Sequence, residues 1–461
     1  MIDRGLLEKL VKASLARGGE YADVFVETRE HTAIQLEDGK IEKVLIGSHS
    51  GIGIRLIYRG KTSYAYSNDF SETVLLEMAG SVSMAAAGEE GGVVMDARAG
   101  SPVMPLAIQR PPEAVPLSDK VALVKKGDSV ARAADGKIRQ VSVVYRDSRQ
   151  KVKILRSDGV LAEDDRVYTT GMIHVVASDG EVIQTGSEAI GGLVGFELFD
   201  VSPFERAASV AAQRALLALR ARRAPAGRMP VVVSSEAGGT MIHEAIGHGL
   251  EADLAQQGLS VYSGKIGQRV ASAVVSVVDD ATLPRKRGSF AVDDEGTPAR
   301  RNVLVHEGIL KGYLYDVHSA MTDGVESTGN GRRQSYEHRP IPRMTNTFIA
   351  PGSLSPEQVI RSVPKGLLVK KMGGGQVNTV TGDFVFEVQE GYLIEDGLVG
   401  EPVRGATLVG SGPEVLMSID MVGSDLGFSI GTCGKDSQGV PVSDAMPTLR
   451  IPEMVVGGEV R

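Results

Sequence analysis

The sequence predicts an α+β fold: a small N-terminal α/β unit, a middle helix-plus-meander region and a large β-rich C-terminal domain. Three observations carry this. The chain has 461 residues, which at about 150 per domain is room for roughly three. Glycine supplies 56 of them, about 12% against an average of about 7% and with no collagen-like period, so tight turns must be frequent. Hydrophobic residues make up 42%, enough to bury a sizeable core.

The N-terminal unit spans 1–88. Leu6, Leu7, Leu10, Val11 and Leu15 have helical spacing. A strand over Tyr21–Thr28 follows. Thr32–Glu37 and Ile41–Ile46 flank Asp38-Gly39, a strong hairpin signal. Gly51–Tyr58 and Thr62–Ser67 flank Arg59-Gly60-Lys61, a second hairpin, and Ser71–Ala87 reads as another helix. Residues 89–117 lack periodicity and contain Pro102, Pro105, Pro111, Pro112 and Pro116, so they read as a linker.

The middle domain, 118–225, opens on a helix from Ser118 to about Ala134. Strands then alternate with turns at Asp158-Gly159 and Asp179-Gly180. It ends in a helix for which Ser202 is the expected cap, Pro203 the first residue and Glu205 the partner in a capping box. That helix runs to Arg220, Arg222 and Arg223, cations that suit a helix C-terminus better than a nucleic-acid patch. From 226 to 461 short strands and Gly turns dominate, interrupted by a helix near Glu236–Ala252 and a short one after Ser355-Pro356.

Composition excludes several function classes. One cysteine rules out an intramolecular disulfide framework, a Cys-only zinc finger and an iron–sulfur centre within one chain. A net charge of −8 argues against general nucleic-acid affinity. No apolar run reaches the ~18 residues that span a bilayer, and Met1-Ile2-Asp3-Arg4 does not open a secretory signal peptide. A cytoplasmic protein without membrane association is expected.

The strongest chemical signal is His243-Glu244-Ala245-Ile246-Gly247-His248-Gly249-Leu250-Glu251. Two histidines with a Glu after the first match the pattern in which neutral imidazoles hold Zn²⁺ and the Glu takes a proton from bound water. In H-E-x-x-H the histidines lie four apart, about 40° apart around a helix; here they are five apart, about 140° on a regular helix. Both rings face one ion only if the helix widens locally or ends at the second His, and Gly247 and Gly249 permit either. A catalytic zinc site needs a third protein ligand; Glu251, Asp253, a remote His and Cys433, in Gly431-Thr432-Cys433-Gly434-Lys435, are the candidates. The glycines around Cys433 suggest a turn.

Three competing motifs fail. Gly427-Phe428-Ser429-Ile430-Gly431 matches a serine-hydrolase elbow, but no His follows it. Gly60-Lys61-Thr62 lacks the earlier Gly of a phosphate loop, since position 55 is Arg55. Gly51-Ile52-Gly53 lacks the third Gly of a dinucleotide fingerprint. Two more polar, Gly-rich stretches stand out: Ser327–Gln334 continuing to Tyr336, His338, Arg339 and Arg343, and Gly373–Phe384 with Gly374, Gly375 and Asn378.

Taken together, His243-Glu244-x-x-x-His248-Gly249, the Gly373–Phe384 segment, Gly431-Thr432-Cys433-Gly434-Lys435, the Asp38-Gly39 hairpin and Gly60-Lys61-Thr62-Ser63-Tyr64 resemble the TldD/PmbA family of metallopeptidases, once called modulators of DNA gyrase. Within it the chain resembles the TldD type, which keeps the metal-binding pattern that the PmbA (TldE) type lacks. The resemblance implies His243, His248 and Cys433 as Zn²⁺ ligands and Glu244 as general base. It makes 226–461 the metallopeptidase domain of a cytoplasmic enzyme that cleaves unfolded or short peptides, bound as an extended strand in an enclosed cleft. It also implies a heterodimer with a PmbA/TldE-type paralogue, or a homodimer. Tyr336, His338, Arg339, Gly374, Gly375 and Asn378 are the expected substrate or oxyanion contacts. The alternative is a non-catalytic peptide-binding or partner subunit of such a complex. A DNA-associated role is disfavoured by the charge and by the lack of a basic recognition helix.

Overall fold

The computed structural model describes residues 2–86, 98–99, 104, 107–378 and 380–459. It is an α+β protein with a β-rich C-terminal region. Helix α1 (Arg4–Ser14) starts where Asp3 Oδ1 accepts the Leu6 N–H at 3.1 Å, and it buries Leu7, Leu10 and Val11. Strands β1 (Tyr21–Glu37) and β2 (Lys40–Tyr58) meet in the expected turn, with Asp38 and Gly39 both at positive φ, 46° and 77°. The two short strands expected on each side fuse into one. Residues 29–31 contain no Gly or Pro, so the ladder continues through Arg29↔His49, Glu30↔Ser48 and His31↔Gly47. Strand β3 (Lys61–Ser67) and helix α2 (Glu72–Ser83) follow. Most of the expected 89–117 linker lies outside the described residues, as does Ala87.

Helix α3 (Leu117–Ala133), strands β4 (Ile138–Arg156), β5 (Val160–Ser178) and β6 (Ile183–Leu193), and helix α4 (Phe204–Arg220) complete the N-terminal half. Ser202 does not cap α4. Its N–H closes a preceding short helix on Leu198 C=O, and Pro203 takes the cap position without a side-chain bond. These strands form one sheet, antiparallel in the order β3-β2-β1-β4-β5-β6 with the short strand Arg98–Ala99 added in parallel to β5, so residues of 1–88 and 118–225 share it through the β1–β4 ladder. Helices α1 and α2 bury one apolar cluster against the sheet, α3 and α4 another.

In the C-terminal half, β7 (Gly227–Val233), β11 (Lys365–Val377), β12 (Asp383–Glu395), β13 (Thr407–Ser411) and β16 (Leu449–Gly457) close on themselves. The order is β11-β7-β16-β13-β12, and β12 pairs back to β11, which makes a barrel. A second sheet contains β9 (Arg301–His306), β8 (Val277–Asp280), β10 (Asn346–Ile349), β15 (Gln438–Met446) and β14 (Gly427–Lys435), in that order. One large core, including Val231, Ile242, Ile246, Leu250 and Cys433, joins barrel and sheet. Ser355 caps the short helix Pro356–Arg361 in a capping box with Gln358, as the sequence signals. The N-terminal sheet docks on this half through buried ion pairs, Arg55 to Glu295 at 2.7 Å and Arg166 to Asp294 at 2.7 Å.

Candidate metal centre

The expected helix near Glu236–Ala252 is a chain of short pieces. After a 3₁₀ turn at Ser235–Ala237, Gly238 takes φ +75° and a Cβ on Gly239 would run into the Ala445 backbone N. The glycines thus let this segment lie directly on β15. One α-turn (Thr240–Ile242) leads into a π-turn, His243–Gly247, in which the His248 N–H donates to the His243 carbonyl. A 3₁₀ turn (His248–Leu250) follows, and the chain leaves the helix at Glu251. The i→i+5 bond is the physical answer to the five-residue spacing. A locally widened helix that then stops brings both rings to one side, with centroids 5.1 Å apart and planes at 89°.

Cys433 arrives from the other half of the core. It lies on β14, not in a turn: Gly431 and Gly434 are ladder residues opposite Val442 and Gly439, and the turn falls at Asp436-Ser437, both at positive φ. His243, His248 and Cys433 are buried at 4%, 7% and 3% exposure, and their ligand atoms lie within 4.8 Å of one another. Cys433 Sγ is 3.4 Å from His248 Nε2. Two ligands of a tetrahedral zinc ion with bonds of about 2.3 and 2.05 Å sit about 3.5 Å apart, so the donors fit such an ion in kind and in spacing. His243 Nδ1 is buried without a hydrogen-bond partner, 3.9 Å from Asp444 Oδ2.

Electrostatics favour the ligating form of the sulfur. Burial pushes the Cys433 thiol up, but hydrogen bonds from His243 and His248 outweigh it and hold it well below the usual thiol range. Burial opposes charge on the imidazoles, yet the Glu251 carboxylate and the Cys433 sulfur hold His248 well above its ordinary value, and Cys433 raises His243. The thiolate is the form that binds metal.

Glu251, one of the ligand candidates, stands behind the cluster. It is fully buried and faces His248 Nδ1 at 3.0 Å, while His248 Nε2 faces the sulfur. Burial raises its pKa, but Lys435 at 3.1 Å, His248 and Arg343 win and hold it down at about 2. Asp253, another candidate, receives the Lys435 ammonium at 2.6 Å. Arg343 donates to the Cys433 carbonyl and lies 3.9 Å from Glu251 Oε1, which ties β14 to the helix end. A carboxylate that fixes a ligand's ring and tautomer is typically worth about 10–100-fold in metal affinity, so Glu251→Gln is expected to weaken zinc binding by that factor in a chelator competition titration.

A cleft of about 510 Å³ opens on the cluster, lined by Glu244, Gly375, Gln376, Val377 and Thr432 besides the three donors. Glu244 is half-buried and makes no hydrogen bond or ion pair among the described residues. Two unpaired strand edges border the cleft. Among the described residues, β11 beyond Val369 pairs only with β12, and β14 is the terminal strand of its sheet.

Of the other expected contacts, Gly375 is at the cleft and Gly374 is its neighbour on β11. Asn378 serves the β11–β12 hairpin, accepting the Val380 N–H at 3.0 Å. Tyr336, His338 and Arg339 are not brought to the cleft. Tyr336 packs on the N-terminal sheet, 4.8 Å ring to ring from His49, with its N–H on Glu27 at 2.8 Å. His338 faces Ser335 Oγ at 3.0 Å, and the exposed Arg339 lies 3.8 Å from Asp436. Lys435 and Arg343 were missed as supports. Only the proximity of Lys435 to Cys433 in the chain hinted at the first, and no local signal marks the second.

Two imidazoles and a sulfur that could hold a metal ion lie beside an uncommitted glutamate on this two-part α+β scaffold. Family models described as PmbA/TldA metallopeptidase domain 1, central domain and C-terminal domain match residues 22–87, 110–219 and 226–458. The chain belongs to the PmbA/TldD family of metallopeptidases. It is 39% identical over 451 residues to the "Metalloprotease TldD homolog" of Haemophilus influenzae, covering 96% of this chain and 94% of that one. It is 36% identical to a "Metalloprotease" of Methanothermobacter thermautotrophicus, covering 95% and 96%. The crystal structure of TldE from Thermococcus kodakarensis has the same fold, with TM-score 0.78 at 19% identity over 98% of this chain and all of that one. Among the described residues no helix is long and apolar enough to cross a membrane.

Proposed function

We propose that the chain is a zinc-dependent peptidase that hydrolyses short or unfolded peptides held as an extended strand. The observation that carries this reading is the free Glu244 carboxylate on the wall of the cleft that exposes the His243–His248–Cys433 cage. His243, His248 and Cys433 would hold the ion, which would supply a Lewis acid for the scissile carbonyl and a water acidic near neutral pH. Glu244 takes the water's proton and passes it to the leaving amine. The free edges of β11 and β14 offer main-chain hydrogen bonds to a peptide strand, a mode that gives affinity with little sequence preference. A Cβ on Gly375 would meet the ring of its ladder partner Phe386, so glycine lets this end of β11 pack closely on β12.

The proposal extends to a cytoplasmic site of action and to a TldE-type paralogue, or a second copy of the chain, as partner. The deciding experiment measures metal content by elemental analysis alongside cleavage of an unstructured peptide. Chelation is expected to abolish cleavage and added zinc to restore it. Cleavage that survives full metal removal overturns the reading. Bound peptide without cleavage, in the presence of zinc, supports the partner-subunit alternative instead.

A further inference from the structure

A second cavity, of about 540 Å³, lies between the N-terminal sheet and the C-terminal half, and the chemistry above does not use it. Its floor is one face of the sheet, where the register sets Arg29 opposite Gln150 and Arg146 opposite both Ala33 and Thr170. Its roof carries Arg287, Arg332 and Thr432.

The charges in this cavity do not balance locally. Every acidic group in its wall already has a partner. Glu27 accepts from Gln150 and from the Tyr336 N–H, both at 2.8 Å. Asp147 holds Lys120 at 2.6 Å, Asp294 holds Arg166 at 2.7 Å, and Glu337 lies 3.8 Å from His49. Arg166 pairs with Asp294 and Arg333 lies 3.6 Å from Asp23, but the other four arginines of the wall form no ion pair among the described residues. Arg29 and Arg146 make no side-chain hydrogen bond or ion pair among the described residues. Among the described residues the Arg287 side chain reaches only the Gly431 carbonyl and Thr432 Oγ1, and its Nε is buried without a partner. Among the described residues Arg332 hydrogen-bonds only to the carbonyls of Met344 and Pro441, at 2.6 and 2.7 Å, and lies over the Phe290 ring. Burial, with Arg332, Arg29 and Arg146 nearby, pushes Arg287 down to about 10. Six arginines and four carboxylates line the cavity, and guanidinium groups in such excess are arranged for an anion that comes from outside.

The cavity lies against the metal cleft. Thr432 lines both, and the next residue along β14 is Cys433. We propose that this arginine cavity binds a peptide carboxylate, either the C-terminal α-carboxylate or an Asp or Glu side chain, on the opposite side of β14 from the metal cage. That the ligand is a peptide rests on the peptidase reading. A planar carboxylate fits the guanidinium fork, whereas a polyanion would meet Glu27, Asp147, Asp294 and Glu337 in the same wall.

The test is calorimetric binding to full-length protein carrying Glu244→Gln, so that the peptide persists. Four N-acetylated hexapeptides serve as probes: an Ala/Gly sequence with a free C-terminus, the same sequence amidated, an amidated version with one central Glu, and an amidated version with Gln in its place. At least one carboxylate peptide is expected to bind about tenfold or more tightly than its neutral counterpart, and which one does so identifies the source. Arg287→Gln and Arg29→Gln are each expected to remove most of that preference, and Arg29→Lys to keep part of it. Arg29 stands in mid-strand away from Cys433, so its variant decides the matter if Arg287→Gln does not fold. Equal affinity for all four peptides, no measurable binding of any, or a preference unchanged by Arg29→Gln overturns the proposal. The peptidase reading fails separately, if the zinc-loaded wild type leaves the neutral amidated peptide intact.

Discussion

Glu244→Gln retains a full complement of metal and loses about 10²–10⁴-fold in kcat, the usual contribution of a positioned general base. The residue follows His243 directly, so the π-turn that aims the ligand also fixes the carboxylate's backbone. Its side chain has no competing partner, and glutamine matches its shape while losing the ability to take a proton. Metal stoichiometry should therefore be untouched, and KM for an unstructured peptide should change far less than kcat. A variant that cleaves at the wild-type rate removes Glu244 from the mechanism. One that loses metal as well as activity shows that Glu244 supports the cage instead.

Cys433→Ser is expected to lose metal to a greater extent than the Glu251 variant does. Cys433 is buried, and hydrogen bonds from the two imidazoles hold its thiol well below the usual range. A serine hydroxyl stays neutral there and is a poor ligand for zinc, so two imidazoles remain where three donors stood. Equilibrium dialysis followed by elemental analysis checks this. Unchanged stoichiometry and affinity would take Cys433 out of the ligand set. Activity should fall with metal content, and cobalt substitution offers a second readout, because a thiolate-to-cobalt band would be present in the wild type and absent in the variant.

Much of this was legible locally. Asp38-Gly39 announced its hairpin and Ser355-Pro356 its capped helix, because each rests on the conformational preferences of two to four adjacent residues. The pairing of His243, Glu244 and His248 was legible as chemistry, and the condition on the helix was legible as geometry: the chain had to widen or stop after five residues, and it does both. What could not be read locally was set by distant packing. Residues 29–31 look like a break until β4 is laid beside them. The glycines around Cys433 look like a turn until β15 pairs with them. Tyr336 and Arg339 sit in a polar stretch that promises chemistry, but the fold sets Tyr336 against the N-terminal sheet and Arg339 beside Asp436 in the β14–β15 turn. Arg343 supports the cage from 90 residues before Cys433, with nothing in its own neighbourhood to mark it.

The distance along the chain between the two arms of the cage carries a thermodynamic consequence. His248 and Cys433 are separated by 185 residues, and an ion held between them closes that stretch into a loop, as a covalent bridge would. A ligand that binds only the folded chain adds stability through mass action, about 4 kcal/mol when present at a thousand times its Kd. For a chain with one thiol, and so no intramolecular disulfide, the proposed centre would therefore also be a clasp: a loaded ion would lock the β14 hairpin to the end of the histidine helix, and without it Lys435–Glu251 and the Arg343 bond to the Cys433 carbonyl would hold them together.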